Sequence, residues 1–191
     1  MAASSRERMG DIAPETMSEA QKKVAAAIAS GPRGAVRGPF QVLLRSPALC
    51  AAAQQMGSYL RFECPLDKRL IELATIVVAR SWSQQYEWFG HSVDAVKVGV
   101  AAETVAAIAE GRRPRDLPED EEIVYDFITE LLATKGVSDA TYERAVAKFG
   151  EQGVVDITGM VGYYTLLAAQ MNVARTARPE GKPEPLPPLP L

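Results

Sequence analysis

A helical repeat of apolar residues surrounds the chain's single histidine, His91, and this repeat limits the fold more than any other feature. The repeat predicts a first helix over residues 65–80, with a proline suited to its first turn. The pattern then breaks. Ser81 with Gln84 three residues later is typical of a capping box, so a second helix is predicted from Ser81 to Gly99.

The predicted second helix is apolar on two opposite faces, yet one of these faces also contains ionisable side chains. Gln84, Glu87, Trp88 and His91 share one stripe, and Tyr86 lies on the opposite stripe. Burying a carboxylate and an imidazole without partners costs free energy. These groups therefore need each other, another polar group or a ligand, which makes this helix the candidate functional region.

The remaining segments repeat the helical pattern, and no strand-like alternation between hairpin turns occurs. The sequence therefore predicts an all-α fold, a compact multi-helix bundle of about seven to nine helices. Residues 18–178 are expected to form a single domain. An N-terminal extension (1–17) precedes it and a Pro-rich tail (179–191) follows it.

Charge and composition argue against several classes of partner. The net charge is −3 with both signs interspersed, so no nucleic acid is expected as a partner. No run is long enough to span a bilayer and the N-terminus lacks an apolar signal core, so we expect a cytoplasmic protein without a membrane partner. Cys50 and Cys64 have no metal-ligand spacing and are expected to be reduced core residues, and no metal is expected.

Three motifs resemble the carboxymuconolactone decarboxylase family, which is related to alkyl hydroperoxidase D-type proteins. The central motif is E-L-A-T at 72–75 followed by Y-E-W-x-x-H at 86–91. G-P-F-Q-V-L-L-R-S-P at 38–47 is similar to the family's entry segment, and V-G-Y-Y-T-L-L-A-A-Q-M-N at 161–172 is similar to its closing helix. The resemblance implies the alkyl hydroperoxidase D-like fold, a homo-oligomer (trimer or hexamer) with sites near subunit contacts, and lyase chemistry on a small-molecule substrate.

The hydroperoxidase branch of this family has an upstream glutamate, two cysteines three residues apart and a histidine four residues later. When the sequences are aligned on His91, Glu72 matches the glutamate, whereas Gln84 and Glu87 occupy the cysteine positions. Neither replacement can cycle through a sulfenic acid and a disulfide. The chain therefore resembles a branch that lacks the CxxC cysteines, and peroxidase activity of that type is not expected.

The reaction implied by the resemblance is proton transfer coupled to decarboxylation of a small carboxylated lactone. No cofactor is expected, because the substrate itself can delocalise the electrons left by carbon dioxide. The expected catalytic residues are His91 as the proton donor, Glu72 to orient its ring, and Glu87 held protonated in a dry site. The expected substrate-binding residues are Gln84, Trp88, Tyr86, Arg80 and Arg45.

Several alternatives stay open from the sequence. Arg37 follows Arg80 and Arg45 as a candidate for the substrate carboxylate, although solvated surface charge is the favoured interpretation of Arg33 and Arg37. A related proton-transfer, hydrolytic or ring-opening reaction fits the same residues. Without catalysis, His91 is a satisfied structural histidine in an oligomeric binding or scaffold protein. A thiol mechanism needs a cysteine beside the histidine, and the spacing offers none.

Overall fold

The structure, a computed structural model, describes residues 7–178 and residue 186. Within these residues it contains eight α-helices and no β-strand. The helices are α1 (Glu19–Ser30), α2 (Pro39–Leu43), α3 (Pro47–Ser58), α4 (Lys68–Ser81), α5 (Gln85–Lys97), α6 (Ala102–Ala109), α7 (Glu119–Thr134) and α8 (Asp139–Ala174). The predicted all-α bundle is confirmed.

Helix α4 is the centre of the bundle. Every residue from Leu70 to Arg80 is buried, and the helix packs against α5, α7 and α8. Asp67 precedes the helix as its N-cap, and its carboxylate accepts a hydrogen bond from the backbone N–H of Arg69. A helix enclosed in this way can contain a charged side chain only where a partner is available. Glu72 lies in this buried run, so its partners are the first indication of the site.

The turn between α4 and α5 differs from the prediction. Ser81 does not cap α5; it ends α4, and its hydroxyl donates a hydrogen bond to the carbonyl of Val78. The N-cap is Gln84, whose side-chain oxygen accepts hydrogen bonds from the backbone N–H groups of Tyr86 at 2.7 Å and Glu87 at 3.3 Å. The side-chain amide of Gln84 thus provides the N-cap that was predicted for Ser81, and α5 begins later along the chain than predicted.

Helix α8 consists of two helical segments that meet at Gly150, where φ is 68°. Glycine adopts this left-handed backbone without a steric penalty. The structure joins the two segments into one kinked element. The second segment carries Tyr163 and Tyr164, which are both buried against the interior of the bundle.

A π-helical turn, Tyr59–Glu63, continues α3 and was not predicted. Its wider hydrogen bond runs from the backbone N–H of Cys64 to the carbonyl of Tyr59 at 2.8 Å. Such turns are frequent at functional sites and have no simple sequence signature. This one carries Arg61 and Phe62, which both line the cavity described below.

Most of the predicted Pro-rich tail, residues 179–185 and 187–191, lies outside the described residues, as do residues 1–6. Leu186 is the exception. Its side chain is buried, and its backbone exchanges two hydrogen bonds with the side-chain amide of Gln85 at 3.0 and 3.1 Å. None of the helices in the described part of the chain is both long and apolar enough to cross a membrane.

Candidate functional site

A cavity of about 350 Å³ opens between α5 and the second segment of α8. Four parts of the chain form its wall. The lining residues are Pro32, Arg33, Ala35, Arg37, Pro39 and Phe40 around the start of α2, Arg61 and Phe62 from the π-helical turn, Tyr86, Glu87, Gly90 and His91 from α5, and Tyr163, Tyr164, Leu167 and Met171 from α8. The volume is in the range of sites for small organic molecules.

His91 is paired with Glu72 across the α4–α5 contact. Its Nδ1 lies 2.6 Å from the Oε2 atom of Glu72, and both side chains are largely buried. The ring of Tyr164 contacts the imidazole edge-on, with 5.4 Å between the ring centroids. A carboxylate on Nδ1 fixes the orientation of the ring and leaves Nε2 as the nitrogen that can exchange a proton with a ligand.

Glu87 is a buried acid without a partner. Its side chain is only 4% exposed, and neither carboxyl oxygen has a hydrogen-bond partner within the described part of the chain. Burial raises the pKa of Glu87 well above its ordinary value because desolvation disfavours the charged form. A raised pKa favours the neutral carboxylic acid, a form that can donate one hydrogen bond.

Three guanidinium groups, from Arg33, Arg37 and Arg61, line the same cavity. Arg33 donates a hydrogen bond to the hydroxyl of Tyr163 at 3.2 Å and lies over the ring of Phe40 at 4.6 Å. Among the described residues, Arg37 and Arg61 make no side-chain hydrogen bond. An excess of positive charge with unused donors favours a ligand that carries a negative group.

The tyrosines of the cavity are neutral phenols. Burial raises the pKa of Tyr163, of Tyr164 and of Tyr86, in each case chiefly through desolvation. Tyr86 lies close to Gly38, where φ is 54°, and a Cβ atom built there would be 2.4 Å from a carbon of the Tyr86 ring. Glycine at this position is what lets Tyr86 close that part of the wall.

The predicted site residues His91, Glu87 and Tyr86 all line the cavity, and Glu72 lies behind the imidazole. Tyr86 reaches the cavity although the helical stripes placed it opposite His91. The reason is that the cavity covers the N-terminal turn of α5 on more than one side.

Two predicted substrate-binding residues at the start of α5 do not line the cavity. Gln84 caps α5 and donates a hydrogen bond to the side-chain oxygen of Asn172 at 2.9 Å, which ties the helix start to α8. Trp88 is 3% exposed and belongs to the hydrophobic core. Neither residue is part of the cavity lining.

The two favoured arginines also lie outside the cavity. Arg80 is buried at the end of α4, where it donates a hydrogen bond to the hydroxyl of Ser83. Arg45 donates hydrogen bonds to the backbone carbonyls of Gln41 and Gly10. Arg37, the third candidate from the sequence, is the one that lines the cavity.

Arg61, Tyr163 and Tyr164 were not predicted to belong to the site. The two tyrosines lie in the closing-helix motif, and Leu167 and Met171 recur at helical spacing after them, so that motif was the available signal. No signal was available for Arg61, because an unrecognised π-helical turn determines its direction.

Neither cysteine reaches the cavity. Cys50 and Cys64 are buried in the core, and burial raises the pKa of Cys50 to about 11. A thiol with this pKa is a poor nucleophile at neutral pH. Among the described residues, no group of three or more His, Cys, Asp or Glu side chains has the arrangement of a metal site.

Residues 47–117 match the model of the carboxymuconolactone decarboxylase family. This segment runs from the start of α3 to the loop before α7 and includes both Glu72 and His91. The resemblance recognised in the sequence is therefore confirmed. No curated protein sequence matches the chain.

Three solved structures share the fold. The alkylhydroperoxidase AhpD core of an uncharacterised peroxidase-related protein from Ralstonia eutropha JMP134 has a TM-score of 0.73 at 17% identity, covering 91% of this chain and 93% of that one. An uncharacterised peroxidase-related protein from Silicibacter sp. TM1040 has a TM-score of 0.71 at 13% identity, covering 90% of each chain. An AhpD-related protein of unknown function from Agrobacterium tumefaciens has a TM-score of 0.64 at 17% identity, covering 75% of this chain and 99% of that one.

Proposed function

We propose that this chain is a lyase that acts on a small carboxylated lactone or a related organic acid without a cofactor. The proposal starts from the match of its residues 47–117 to the carboxymuconolactone decarboxylase family and from its AhpD-like fold. One observation carries the proposal. His91, with Glu72 paired behind it, and the unpaired acid Glu87 line the same cavity of about 350 Å³. Two ionisable centres with different environments are what acid–base chemistry requires.

The arginines suggest how an acidic substrate binds. Arg37 and Arg61 lack hydrogen-bond partners among the described residues, and each guanidinium can hold a carboxylate through two parallel N–H donors. Arg33 adds positive charge but is already held by Tyr163 and Phe40. The substrate carboxylate would lie among these three side chains, with the reacting carbon directed towards His91.

Glu87 suits an anionic substrate only in its neutral form. As a carboxylic acid it does not repel the substrate and donates a hydrogen bond instead. In a decarboxylation the carbon–carbon bond to the carboxylate breaks, carbon dioxide leaves, and the electron pair moves into the lactone carbonyl as an enolate. Glu87 would donate its hydrogen bond to that enolate oxygen, where negative charge develops.

His91 would complete the reaction by supplying a proton. Its ring, oriented by Glu72 on Nδ1, donates a proton from Nε2 to the enolate carbon, which restores the carbonyl and forms the new carbon–hydrogen bond. The ring then takes a proton from solvent. No redox step is involved, and neither Cys50 nor Cys64 takes part, in keeping with their positions in the core.

Assembly into a homo-oligomer is part of the proposal. The end of α3 and the middle of α8 expose neighbouring apolar side chains: Met56, Tyr59 and Val155 are 42%, 37% and 69% exposed. Tyr59 is tied to α8 by a hydrogen bond to Asp156, so the patch belongs to one surface. Exposed apolar patches of this kind favour subunit contacts, and light scattering of the purified protein measures the assembly directly.

The proposed function is tested with a panel of carboxylated lactones, in which carbon dioxide release and product formation are followed by NMR. We expect turnover by the wild type and by a Cys50→Ser, Cys64→Ser double variant, and loss of turnover in His91→Ala with helicity unchanged. Full activity of His91→Ala on a confirmed substrate refutes the mechanism. A lowered melting temperature of His91→Ala, without turnover by any form, favours the scaffold alternative instead.

A further inference from the structure

Glu72 has a second partner besides the histidine. Its Oε2 atom faces His91 Nδ1 at 2.6 Å, and its Oε1 atom lies 3.7 Å from a terminal nitrogen of Arg61. His91 and Arg61 both line the cavity, whereas Glu72 lies behind them. One carboxylate therefore connects the proton-transfer group to one of the anion-binding side chains.

The contact of Arg61 with Glu72 is loose. A charge-assisted hydrogen bond has a length of roughly 2.7–2.9 Å, and the 3.7 Å separation exceeds this. The Arg61 guanidinium also lies over the ring of Phe62, at 5.3 Å from its centroid. Arg69 shows the contrast, because it is held by Asp120 at 2.6 Å and also by Glu121. Among the described residues the Arg61 guanidinium makes no hydrogen bond, so its N–H donors remain available to a ligand in the cavity.

We propose that Arg61 is a positioning residue that moves between Glu72 and the anionic group of the ligand. When an organic anion binds, the Arg61 guanidinium turns towards it, and the Glu72 carboxylate then interacts with His91 alone. The inference rests on the proposed function in one respect, namely that the ligand is an anion bound in this cavity.

The consequence for His91 is electrostatic. In the empty site Arg61 neutralises part of the Glu72 charge, and its departure strengthens the attraction between Glu72 and a proton on the ring. The neighbouring titratable groups do not replace this charge: Tyr164, which contacts the imidazole, is a neutral phenol, and burial raises the pKa of Glu87 in the same cavity, which favours its neutral form. Ligand binding would thereby favour the protonated ring that a proton donor needs.

The test uses the fact that His91 is the only histidine in the chain, so its ring nitrogens give a single set of ¹⁵N NMR signals. The full-length protein is titrated at pH 7 with sodium succinate, and sodium chloride at equal ionic strength is the reference. In the wild type we expect a saturable shift of the ring signals towards imidazolium positions. In Arg61→Met without succinate, most of that shift should already be present.

Arg37→Met is the matched control, because Arg37 lines the same cavity and is not paired with Glu72. Its ring signals without succinate should stay close to wild type, while its affinity for succinate falls. In a Glu72→Gln background, Arg61→Met should no longer shift the signals, since the carboxylate that links the two groups is gone. Arg61→Gln also removes the charge, and it serves as a second variant if Arg61→Met does not fold.

The inference is overturned if Arg61→Met or Arg61→Gln leaves the ring signals of the ligand-free protein as in wild type, or if Arg37→Met shifts them equally. It is also overturned if the wild-type signals respond to succinate no more than to chloride. These outcomes are separate from turnover. The coupling can be present in a protein that converts no lactone, and an active enzyme can lack it.

Discussion

The Oε2 atom of Glu72 lies 2.6 Å from Nδ1 of His91, although 19 residues separate the two along the chain. The turn that ends α4 and the Gln84 cap that starts α5 make this possible by folding α5 back along α4. Because α4 is enclosed by the bundle, the position of Glu72 is fixed by packing. The geometry of the site therefore depends on the core more than on flexible surface loops.

Replacing Glu72 by glutamine should lower kcat by roughly 10²-fold or more while KM changes little. The amide keeps the volume of the side chain but no longer stabilises a protonated ring. Steady-state kinetics on a substrate found in the lactone panel measures the effect, and circular dichroism checks the helicity. Glu63→Gln, an exposed acid on the π-helical turn, is the control and should match wild type. A Glu72→Gln enzyme with wild-type kcat contradicts the role given to this residue.

Replacing Glu87 by glutamine should change how stability depends on pH. The pKa of Glu87 is raised in the folded state from an ordinary value of 4.5, so the folded protein holds this proton more tightly than the unfolded chain. Its contribution to stability is fully present below the unfolded pKa and is lost as the pH rises towards the folded pKa. We expect Glu87→Gln to flatten this decline, so that the variant gains stability over wild type at alkaline pH.

Urea unfolding of wild type and Glu87→Gln between pH 5 and pH 9 measures the difference. Asp94→Asn is the control on the same helix, because Asp94 forms an exposed surface pair with Lys97 and should leave the profile unchanged. If the two profiles stay parallel across the whole range, the buried side chain of Glu87 is not the neutral acid that the site requires.

Replacing Arg37 by methionine should weaken the binding of succinate by about tenfold or more, in line with the loss of one charge-assisted interaction of roughly 1.5 kcal/mol. Arg45→Met is the matched control, because Arg45 is bonded to backbone carbonyls outside the cavity. Isothermal titration calorimetry at low ionic strength compares the three proteins. Equal losses in both variants would assign the effect to net charge and not to the cavity.

The sequence predicted the elements of the fold well where local chemistry decides them. Ser18 followed three residues later by Gln21 has the sequence pattern of a capping box, and both halves of that box form at the start of α1. The start of α5 was predicted too early. Ser81 and Gln84 have the spacing of a capping box, but in the structure the side-chain amide of Gln84 caps the helix. The π-helical turn at residues 59–63 could not be predicted, because it depends on tertiary packing around an extra residue.

For the site, the sequence was most informative about residues whose burial is costly. Glu87 and His91 were identified because an acid and an imidazole stood inside an apolar face, and both line the cavity. The arginines were ranked without such a constraint. An exposed guanidinium is compatible with any surface, so only the tertiary structure could separate Arg37, which lines the cavity, from Arg45, which does not.

Gly38 is the position where backbone geometry shapes the cavity wall most directly, and Gly38→Ala should distort that wall. The added Cβ atom would lie 2.4 Å from the Tyr86 ring, and φ of 54° adds backbone strain. We expect the free energy of unfolding to fall by about 2 kcal/mol or more, together with weaker succinate binding. Gly34→Ala is the control: φ is 68° there and no atom lies within 4 Å, so only strain of about 1 kcal/mol applies.

A double-mutant cycle with Tyr86→Ala separates the two causes of the Gly38→Ala effect. Removing the ring leaves the backbone strain in place but takes away the contact, so Gly38→Ala should cost less in the Tyr86→Ala background. Urea unfolding provides the four free energies. Additive costs would mean that Tyr86 has moved aside at no expense, and the ring would then have no fixed place in the wall. A coupling of about 1 kcal/mol or more shows instead that glycine at this position holds Tyr86 beside Glu87, where the substrate is proposed to bind.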